Sequence, residues 1–216
     1  MHTEETADTA NSAASSAASP DEASAASGTG ASAGKGTWSG HMVWIDCEMT
    51  GLDPDQDVLI EVAALVTDAE LTVLGEGISV VIRPEPEALE SMSSFVRKMH
   101  TSSGLLQDLD DGIELAAAEK KVLDYVAEYV PEAGVAPLAG NSVHADKAFL
   151  RVGMPKLMNH LHYRIIDVST LKELASRWYP EVKASAPKKT GNHRALGDIQ
   201  DSIEELKHYR KTMLRD

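Results

Sequence analysis

The chain of 216 residues has a single cysteine, Cys47. No intrachain disulfide can form, so we expect a reducing compartment, the cytoplasm, where free thiols persist. No apolar run approaches the roughly 18 residues that indicate a membrane-spanning helix, so we expect no membrane as partner. The first residues lack both the basic start and the apolar run of a secretory signal, and they lack the arginines of a transit peptide. Neither kind of leader is expected.

Residues 1–40 contain almost no large apolar side chain before Trp38 and consist mainly of Ala, Ser, Gly and Thr. Such a segment cannot bury enough surface to offset the entropy that it would lose on ordering. We therefore expect a disordered tail over residues 1–40. Residues 41–216 are long enough for one hydrophobic core and are expected to form a single domain.

Basic side chains are scarce, because 20 Lys and Arg stand against 34 Asp and Glu, a formal net charge of −14. Residues 1–40 hold five of the acids and one lysine, which leaves −10 on the rest of the chain. A strongly acidic domain cannot hold long nucleic acid on a broad basic surface, since phosphate binding depends on Lys and Arg. A nucleic-acid ligand would have to be bound through cations and a few local contacts, and this favours a short one.

Hydrophobic patterns predict three strands followed by alternating helices and strands. The predicted strands are residues 42–46, 59–67, 73–83, 137–141 and 163–168, and the predicted helices are residues 89–100, 113–130, 145–152, 170–178 and 194–214. Thr170 and Glu173 fit a capping box at the start of one helix. This order of elements indicates an α/β fold in which a mixed sheet carries helices on its faces.

Two acidic side chains follow the first predicted strand. If the strand continues through them, Asp46 and Glu48 project to one face and Cys47 projects to the other, where it fills the core. Two like charges after an apolar strand repel each other, and a hard cation such as Mg²⁺ or Mn²⁺ would relieve that repulsion. For an isolated Asp-x-Glu, however, a solvated strand end is the more frequent explanation.

Two further sites lie at the ends of later elements. Residues 140–142 (Gly-Asn-Ser) end a strand, and Asp146 follows in the first turn of a helix, where the helix dipole alone would favour an acid. His193 precedes the last helix, and Asp198 lies five residues beyond it and can face the sheet. Taken singly, Asp146 is better explained as an ordinary first-turn acid. A surface histidine near a solvated helix acid is likewise a common explanation of His193 and Asp198.

Taken together, the three sites resemble the three motifs of the DnaQ-like 3′→5′ exonucleases, in the subtype that has a histidine five positions before the final acid. This resemblance implies a ribonuclease H-like fold, a mixed five-stranded sheet flanked by helices on both faces. The resemblance to this family extends from about residue 42 to the C-terminus. Five segments are similar to the oligoribonucleases within that family: WIDCEMTGLD (44–53), MHTSSGL (99–105), GNS (140–142), HYRIIDVSTLKELASRWYP (162–180) and HRALGDI (193–199).

The resemblance implies a 3′→5′ exoribonuclease that degrades dinucleotides and slightly longer RNAs to 5′-mononucleotides. The implied mechanism is hydrolysis with two divalent metal ions, Mg²⁺ or Mn²⁺, and a histidine general base. The implied metal ligands and general base are Asp46, Glu48, Asp146, Asp198 and His193.

The resemblance also implies contacts to short single-stranded RNA. Leu52 would wedge against the bases and Phe95 would stack on one of them, which any base tolerates. Ser142 and Ser169 would close over the 5′ phosphate, together with Tyr163 and Arg164 from the partner subunit of a homodimer, and this cap would penalise longer RNAs. From the residues alone, a core position for Tyr163 and a pairing of Arg164 with a surface acid are favoured over such a cap.

Other functions remain open at this point. A proofreading or RNA-trimming exonuclease of the same family would keep the active site and act on longer strands. A non-catalytic nucleic-acid-binding domain could share the fold, since a fold does not determine a function, and a phosphatase with the same metal site is a third candidate. The acidic composition and the His-Tyr-Arg segment argue against longer strands. The presence of all five active positions argues against a non-catalytic domain.

Overall fold

The computed structural model describes residues 40–188 and 194–214. Residues 1–39 of the predicted tail and the predicted general base His193 lie outside the described residues. The strands are β1 (Met42–Met49), β2 (Leu59–Thr67), β3 (Val73–Val81), β4 (Pro137–Gly140) and β5 (His162–Asp167). The helices are α1 (Pro86–Glu90), α2 (Ser94–Ser102), α3 (Leu105–Asp108), α4 (Leu115–Tyr129), α5 (Val143–Gly153), α6 (Pro155–His160), α7 (Val168–Trp178), α8 (Pro180–Ala184) and α9 (Ala195–Met213), with a 3₁₀ turn at Leu109–Asp111.

The five strands form one mixed sheet in the order β3-β2-β1-β4-β5. β2 is antiparallel to both β1 and β3, which short connections allow. β4 is parallel to β1 and to β5, and each of these pairings needs a crossover that the intervening helices supply. The predicted α/β fold with a mixed five-stranded sheet is confirmed.

Helices cover both faces of the sheet, because the side chains of β1 alternate between two cores. Val43, Ile45 and Cys47 pack against buried residues of α4, α5 and α6. Trp44 points to the opposite face, where buried residues of α7 and α9 cover it. Cys47 is therefore a core side chain, as its place in the alternation predicted. Along the parts of the chain that the structure describes, no helix is both long and apolar enough to cross a membrane.

Several predicted boundaries differ from the structure. The single helix predicted over residues 89–100 is two helices, because Ser93 starts a new one by accepting the backbone N–H of Val96 with its hydroxyl, at 3.3 Å. The capping box at Thr170 is wrong, since the helix already begins at Val168 and the carboxylate of Asp167 caps it. Helices α3, α6 and α8 were not predicted, because four to six residues carry too little periodicity.

Candidate active site

Three carboxylates meet on the face of the sheet that α9 covers. Asp46 and Glu48 share the side of β1 on which Trp44 lies, and Asp198 comes from the first turn of α9. One oxygen of each carboxylate lies within 4.8 Å of the other two, so the group could hold a metal ion. Strand alternation and the position of α9 thus bring together two acids from residues 46–48 and one acid about 150 residues later.

Glu48 is the most deeply buried acid of this group. Burial, followed by the negative charges of Asp198, Glu61 and Asp146, raises the pKa of Glu48 to about 8, while Arg194 opposes the rise. A set of acids that cannot all be charged near neutral pH is relieved by a bound cation, and all-oxygen donors suit a hard divalent ion. The residues present therefore fit the expected kind of metal.

Asp146 stands beside this group and is tied to it through the backbone. Its Oδ1 accepts the backbone N–H of Cys47 at 3.0 Å, and Cys47 lies between Asp46 and Glu48. Burial raises the pKa of Asp146 to about 6, although the hydrogen bonds that it accepts act in the opposite direction. This contact joins the first turn of α5 to the end of β1, so the four predicted carboxylates lie in one region.

A buried salt bridge lies beside Glu48, on the neighbouring strand β2. Glu61 is the register partner of Glu48 on the neighbouring strand, and it is only 1% exposed. Arg194 donates to Glu61 through Nε at 3.2 Å and Nη2 at 3.2 Å, and it donates to Asp108 through Nη1 at 2.8 Å. Ser79 adds a hydroxyl donor to Glu61 at 2.7 Å. These bonds anchor the start of α9, four residues before Asp198.

His100 packs behind Glu48 from α2 and is fully buried. Its Nε2 lies 2.9 Å from the carbonyl oxygen of Met49, and its Nδ1 lies 3.8 Å from Oε2 of Glu48. The pairing of β1 with β2 shifts register between Glu48 and Met49. His100 therefore contacts the strand on both sides of this irregular step.

The structure also brings the two predicted serines together. The Oγ atoms of Ser142 and Ser169 are 3.1 Å apart. Ser142 has a left-handed backbone with a φ of 53°, which is uncommon for a residue other than glycine. Its backbone N–H holds that conformation by donating to Oδ1 of Asp167 and to Oγ of Ser169, both at 2.9 Å.

The remaining predicted substrate contacts are exposed side chains. Leu52 follows β1 and is 84% exposed, and Phe95 on α2 is 76% exposed. Tyr163 is 73% exposed on β5, which is an edge strand of the sheet, and its ring lies 5.4 Å from the guanidinium carbon of Arg164. Tyr163 is thus not a core side chain of this chain.

Several residues of the site had no role assigned from the sequence. Glu61 had a signal that could have found it, because a charged residue inside the apolar run of β2 needs a buried partner. His100 lies in the MHTSSGL segment, but nothing in that segment shows what it contacts. Arg194 and Asn141 likewise lie in the HRALGDI and GNS segments, but neither segment shows that these side chains contact residues far along the chain, such as Glu61 for Arg194.

The comparisons with known proteins agree with this geometry. The model of the RNase_T family, described as an exonuclease, matches residues 43–206. The oligoribonuclease of Cutibacterium acnes is 59% identical over 173 residues, which are 80% of this chain and 86% of that protein. The oligoribonuclease of Streptomyces coelicolor is 60% identical over 172 residues, with the same coverage of both chains.

Solved structures of exonuclease I share the fold. The enzyme from Methylocaldum szegediense superposes with a TM-score of 0.57 at 18% identity, over 80% of this chain and 41% of that one. A zinc-bound complex of E. coli exonuclease I with single-stranded DNA gives a TM-score of 0.60 at 17% identity, over 81% and 41%. This chain spans about two fifths of those proteins, so the likeness concerns the fold alone. The family match and the identities near 60% instead cover most of the chain, and this chain therefore belongs to the exonuclease family and, within it, to the oligoribonucleases.

Proposed function

We propose that this exoribonuclease, a phosphodiester hydrolase by its family, degrades dinucleotides and slightly longer RNAs from the 3′ end to 5′-mononucleotides. The observation that carries the proposal is the group of three carboxylate side chains within 4.8 Å of one another, with Asp146 beside it. A cytoplasmic location remains a prediction from the single, buried Cys47.

Asp46, Glu48, Asp146 and Asp198 would hold two divalent ions, either Mg²⁺ or Mn²⁺. Bound ions of this kind lower the pKa of water and stabilise the charges on the attacking and leaving oxygens. The protein's own part would be to place the four carboxylates. The bond from Cys47 N–H to Asp146 supports this role for Asp146, and the Arg194–Glu61 salt bridge at the start of α9 supports it for Asp198.

His193 would accept the proton of the attacking water as general base. We expect His193→Ala to lower kcat by about 10²- to 10⁴-fold and, with the metal ion saturating at each pH, to remove the acidic limb of the pH profile of kcat. Cation binding should remain, because the four carboxylates are unchanged. Full activity with an unchanged pH profile would exclude this role.

The length preference would come from a cap over the 5′ phosphate. Ser142 and Ser169 already lie side by side, and Tyr163 and Arg164 would complete the cap from the partner subunit of a homodimer. The exposure of Tyr163 on an edge strand supports a contribution to another chain. Leu52 and Phe95 would contact the bases, and their exposure leaves both side chains accessible to a ligand.

Cleavage of 5′-labelled RNAs, from a dinucleotide to about ten nucleotides, tests this proposal in the presence of Mn²⁺ or EDTA. We expect fast, metal-dependent cleavage of the dinucleotide and slower cleavage as length increases. Asp146→Ala should abolish it. Asp146→Asn should abolish cleavage as well. Because its amide oxygen can still accept the Cys47 N–H, this variant removes the negative charge and keeps the hydrogen bond. Asp124→Ala, an exposed acid on α4, is the matched control that should keep full activity.

The other outcomes would each remove part of the proposal. Efficient trimming of the longest RNA with slow dinucleotide cleavage would keep the active site and exclude the cap. Absence of cleavage for every length would favour a non-catalytic nucleic-acid-binding domain.

A further inference from the structure

We propose that Glu205 and Asn141 are positioning residues that orient the hydroxyl groups of Ser169 and Ser142, and thereby set the preference for a 5′-phosphorylated over a 5′-hydroxyl dinucleotide. This inference rests on the proposed function, which places the 5′ phosphate at these serines. It adds a buried hydrogen-bond relay, defined here as Glu205, Asn141, Ser169 and Ser142, that runs from α9 through the end of β4 to the starts of α7 and α5.

The relay begins at a buried carboxylate. Glu205 is 4% exposed, and its Oε1 accepts from Lys172 Nζ at 3.0 Å and from the Tyr209 hydroxyl at 3.0 Å. Its Oε2 accepts from Asn141 Nδ2 at 3.0 Å. Burial alone would raise the pKa of Glu205, but the hydrogen bonds and charge of its partners bring that pKa below the ordinary value. Glu205 is therefore charged at neutral pH, and a carboxylate only accepts hydrogen bonds.

An acceptor at this end determines which way the Asn141 amide points. The NH₂ group must face Glu205, and its second hydrogen reaches Oγ of Ser202 at 2.9 Å. Ser202 accepts that hydrogen because its own hydroxyl donates to the carbonyl of Asp198 at 2.8 Å. The carbonyl oxygen of Asn141 is thereby turned towards the two serines.

The direction of the Asn141 amide determines how the hydroxyl groups of Ser169 and Ser142 are oriented. Ser169 donates its only hydroxyl hydrogen to Oδ1 of Asn141 at 3.0 Å. Its Oγ can then only accept, and it faces the N–H of Ser142 at 2.9 Å and the hydroxyl of Ser142 at 3.1 Å. Without a ligand, the hydroxyl of Ser142 therefore donates its single hydrogen to Oγ of Ser169, and when a phosphate binds it would turn that hydrogen towards a phosphate oxygen. Ser142 is thus the phosphate donor of the pair, and Ser169 holds it in place.

The Ser142 backbone has a second anchor that does not depend on the relay. Its N–H also donates to Oδ1 of Asp167, which caps α7 at the same time. A change at Glu205 therefore alters the direction of the hydroxyl groups while the left-handed turn at Ser142 stays in place. A variant at Glu205 can therefore test the orientation of the hydroxyl groups without disrupting the backbone that carries them.

Glu205→Gln is the sharpest variant. Lys172 can only donate, so the glutamine oxygen must stay on its side, and the new NH₂ group then faces the NH₂ group of Asn141. Two facing donors disfavour the native direction of the Asn141 amide. The matched control is Tyr209→Phe, which removes one donor to the same carboxylate but leaves the charge and the Asn141 side intact.

The experiment measures kcat/KM of the full chain with Mn²⁺ for two RNA dinucleotides of adenosine. One carries a 5′ phosphate (pApA) and the other a 5′ hydroxyl (ApA). The wild-type protein should prefer the phosphorylated substrate. We expect Glu205→Gln to reduce that preference at least threefold, mainly through KM, and Tyr209→Phe to leave it unchanged. Asn141→Ala, which removes the acceptor of Ser169 altogether, should reduce it further and provides a second variant if Glu205→Gln does not fold.

A preference in Glu205→Gln equal to that of the wild type would overturn the relay and leave the proposed cap standing. Equal loss in Glu205→Gln and Tyr209→Phe would also overturn it, since the loss would then reflect a weakened contact between α7 and α9. A wild-type protein without any preference for the 5′ phosphate would overturn the cap itself, and the relay with it.

Discussion

At the scale of single residues, the site is a set of buried negative charges that are stabilised in two different ways. Glu48 and Glu61 face each other on neighbouring strands, and both are buried. Arg194 neutralises Glu61 through hydrogen bonds from Nε and Nη2. Glu48 instead faces Asp46 and Asp198, and an exchangeable cation would neutralise that group. The guanidinium of Arg194 neutralises Glu61 next to the metal site. The charge of Glu61 therefore repels less strongly the carboxylates that would bind the cation.

Removing the guanidinium while keeping the buried carboxylate should be costly. We expect Arg194→Met to lower the free energy of unfolding by about 2–4 kcal/mol, at the lower end because the Arg194 side chain is partly exposed. Glu61→Gln should cost less, since an amide still accepts from Ser79. The double variant should recover part of the loss. Urea denaturation of the four proteins in EDTA measures this, and strictly additive losses would show that the two side chains are not coupled.

At the scale of elements, the packing of α4 on the sheet includes a close contact with β3. Tyr129 at the end of α4 contacts β3 at Gly75, whose φ is 72°. A Cβ at Gly75 would overlap the Tyr129 hydroxyl. Gly134 has a similar φ of 78°, but a Cβ there would meet nothing within 4 Å. An alanine at either position would strain the backbone, but only the one at Gly75 would also clash with a neighbouring side chain. Comparing the two variants therefore distinguishes the two effects.

Gly75→Ala should lower the free energy of unfolding more than Gly134→Ala. Both variants place alanine in a left-handed backbone, which costs about 1–2 kcal/mol. Gly75→Ala additionally displaces Tyr129, and we expect a further loss of about 1 kcal/mol or more. Thermal and urea denaturation of both variants give the difference. Equal losses would mean that the end of α4 moves aside without cost.

At the scale of the whole molecule, stability and metal binding should both depend on pH. The pKa values of Glu48 (about 8) and Asp146 (about 6) lie above the ordinary values of 4.5 and 3.8. These groups therefore favour the folded state most below about pH 4, and their contribution is lost as the pH rises towards 8. A divalent cation binds the charged forms, so it should restore more stability at pH 8 than at pH 5.

The melting temperature in EDTA and in excess Mg²⁺, measured from pH 5 to pH 8, checks this expectation. The increase caused by Mg²⁺ should grow with pH, and it should be small at every pH in Glu48→Gln. Glu48→Gln should also melt higher than the wild type in EDTA at pH 8, because it removes a buried charge. An increase of the same size at pH 5 and pH 8 would exclude proton competition at these carboxylates.

Residues 1–40 are expected to be dispensable, since their composition cannot support a core. Deleting them should leave the dinucleotide cleavage rate and the melting temperature of the domain unchanged within error. A large loss of either quantity would show that the segment contributes to the enzyme.

Much of the fold follows from local patterns. The apolar run of β2 was predicted with both of its ends, because a central strand that is buried on both faces has a nearly continuous apolar sequence, broken within this strand by Glu61. The shared face of Asp46 and Glu48 followed from the two-residue period of a strand. Helix starts were less predictable, since the side chain that caps α7 is Asp167, three residues before the expected Thr170.

The kinds of element, the face on which the acids lie and the family resemblance are properties of neighbouring residues, and the sequence was enough to derive them. The partners of Glu61 and Glu205 are different, because Arg194 and Asn141 lie 133 and 64 residues away. Such contacts form only when helices from opposite ends of the chain pack on one sheet. A buried charged or amide group without a hydrogen-bond partner is costly in free energy. The need for such partners, rather than any local pattern, orients the carboxylates and serines of the site.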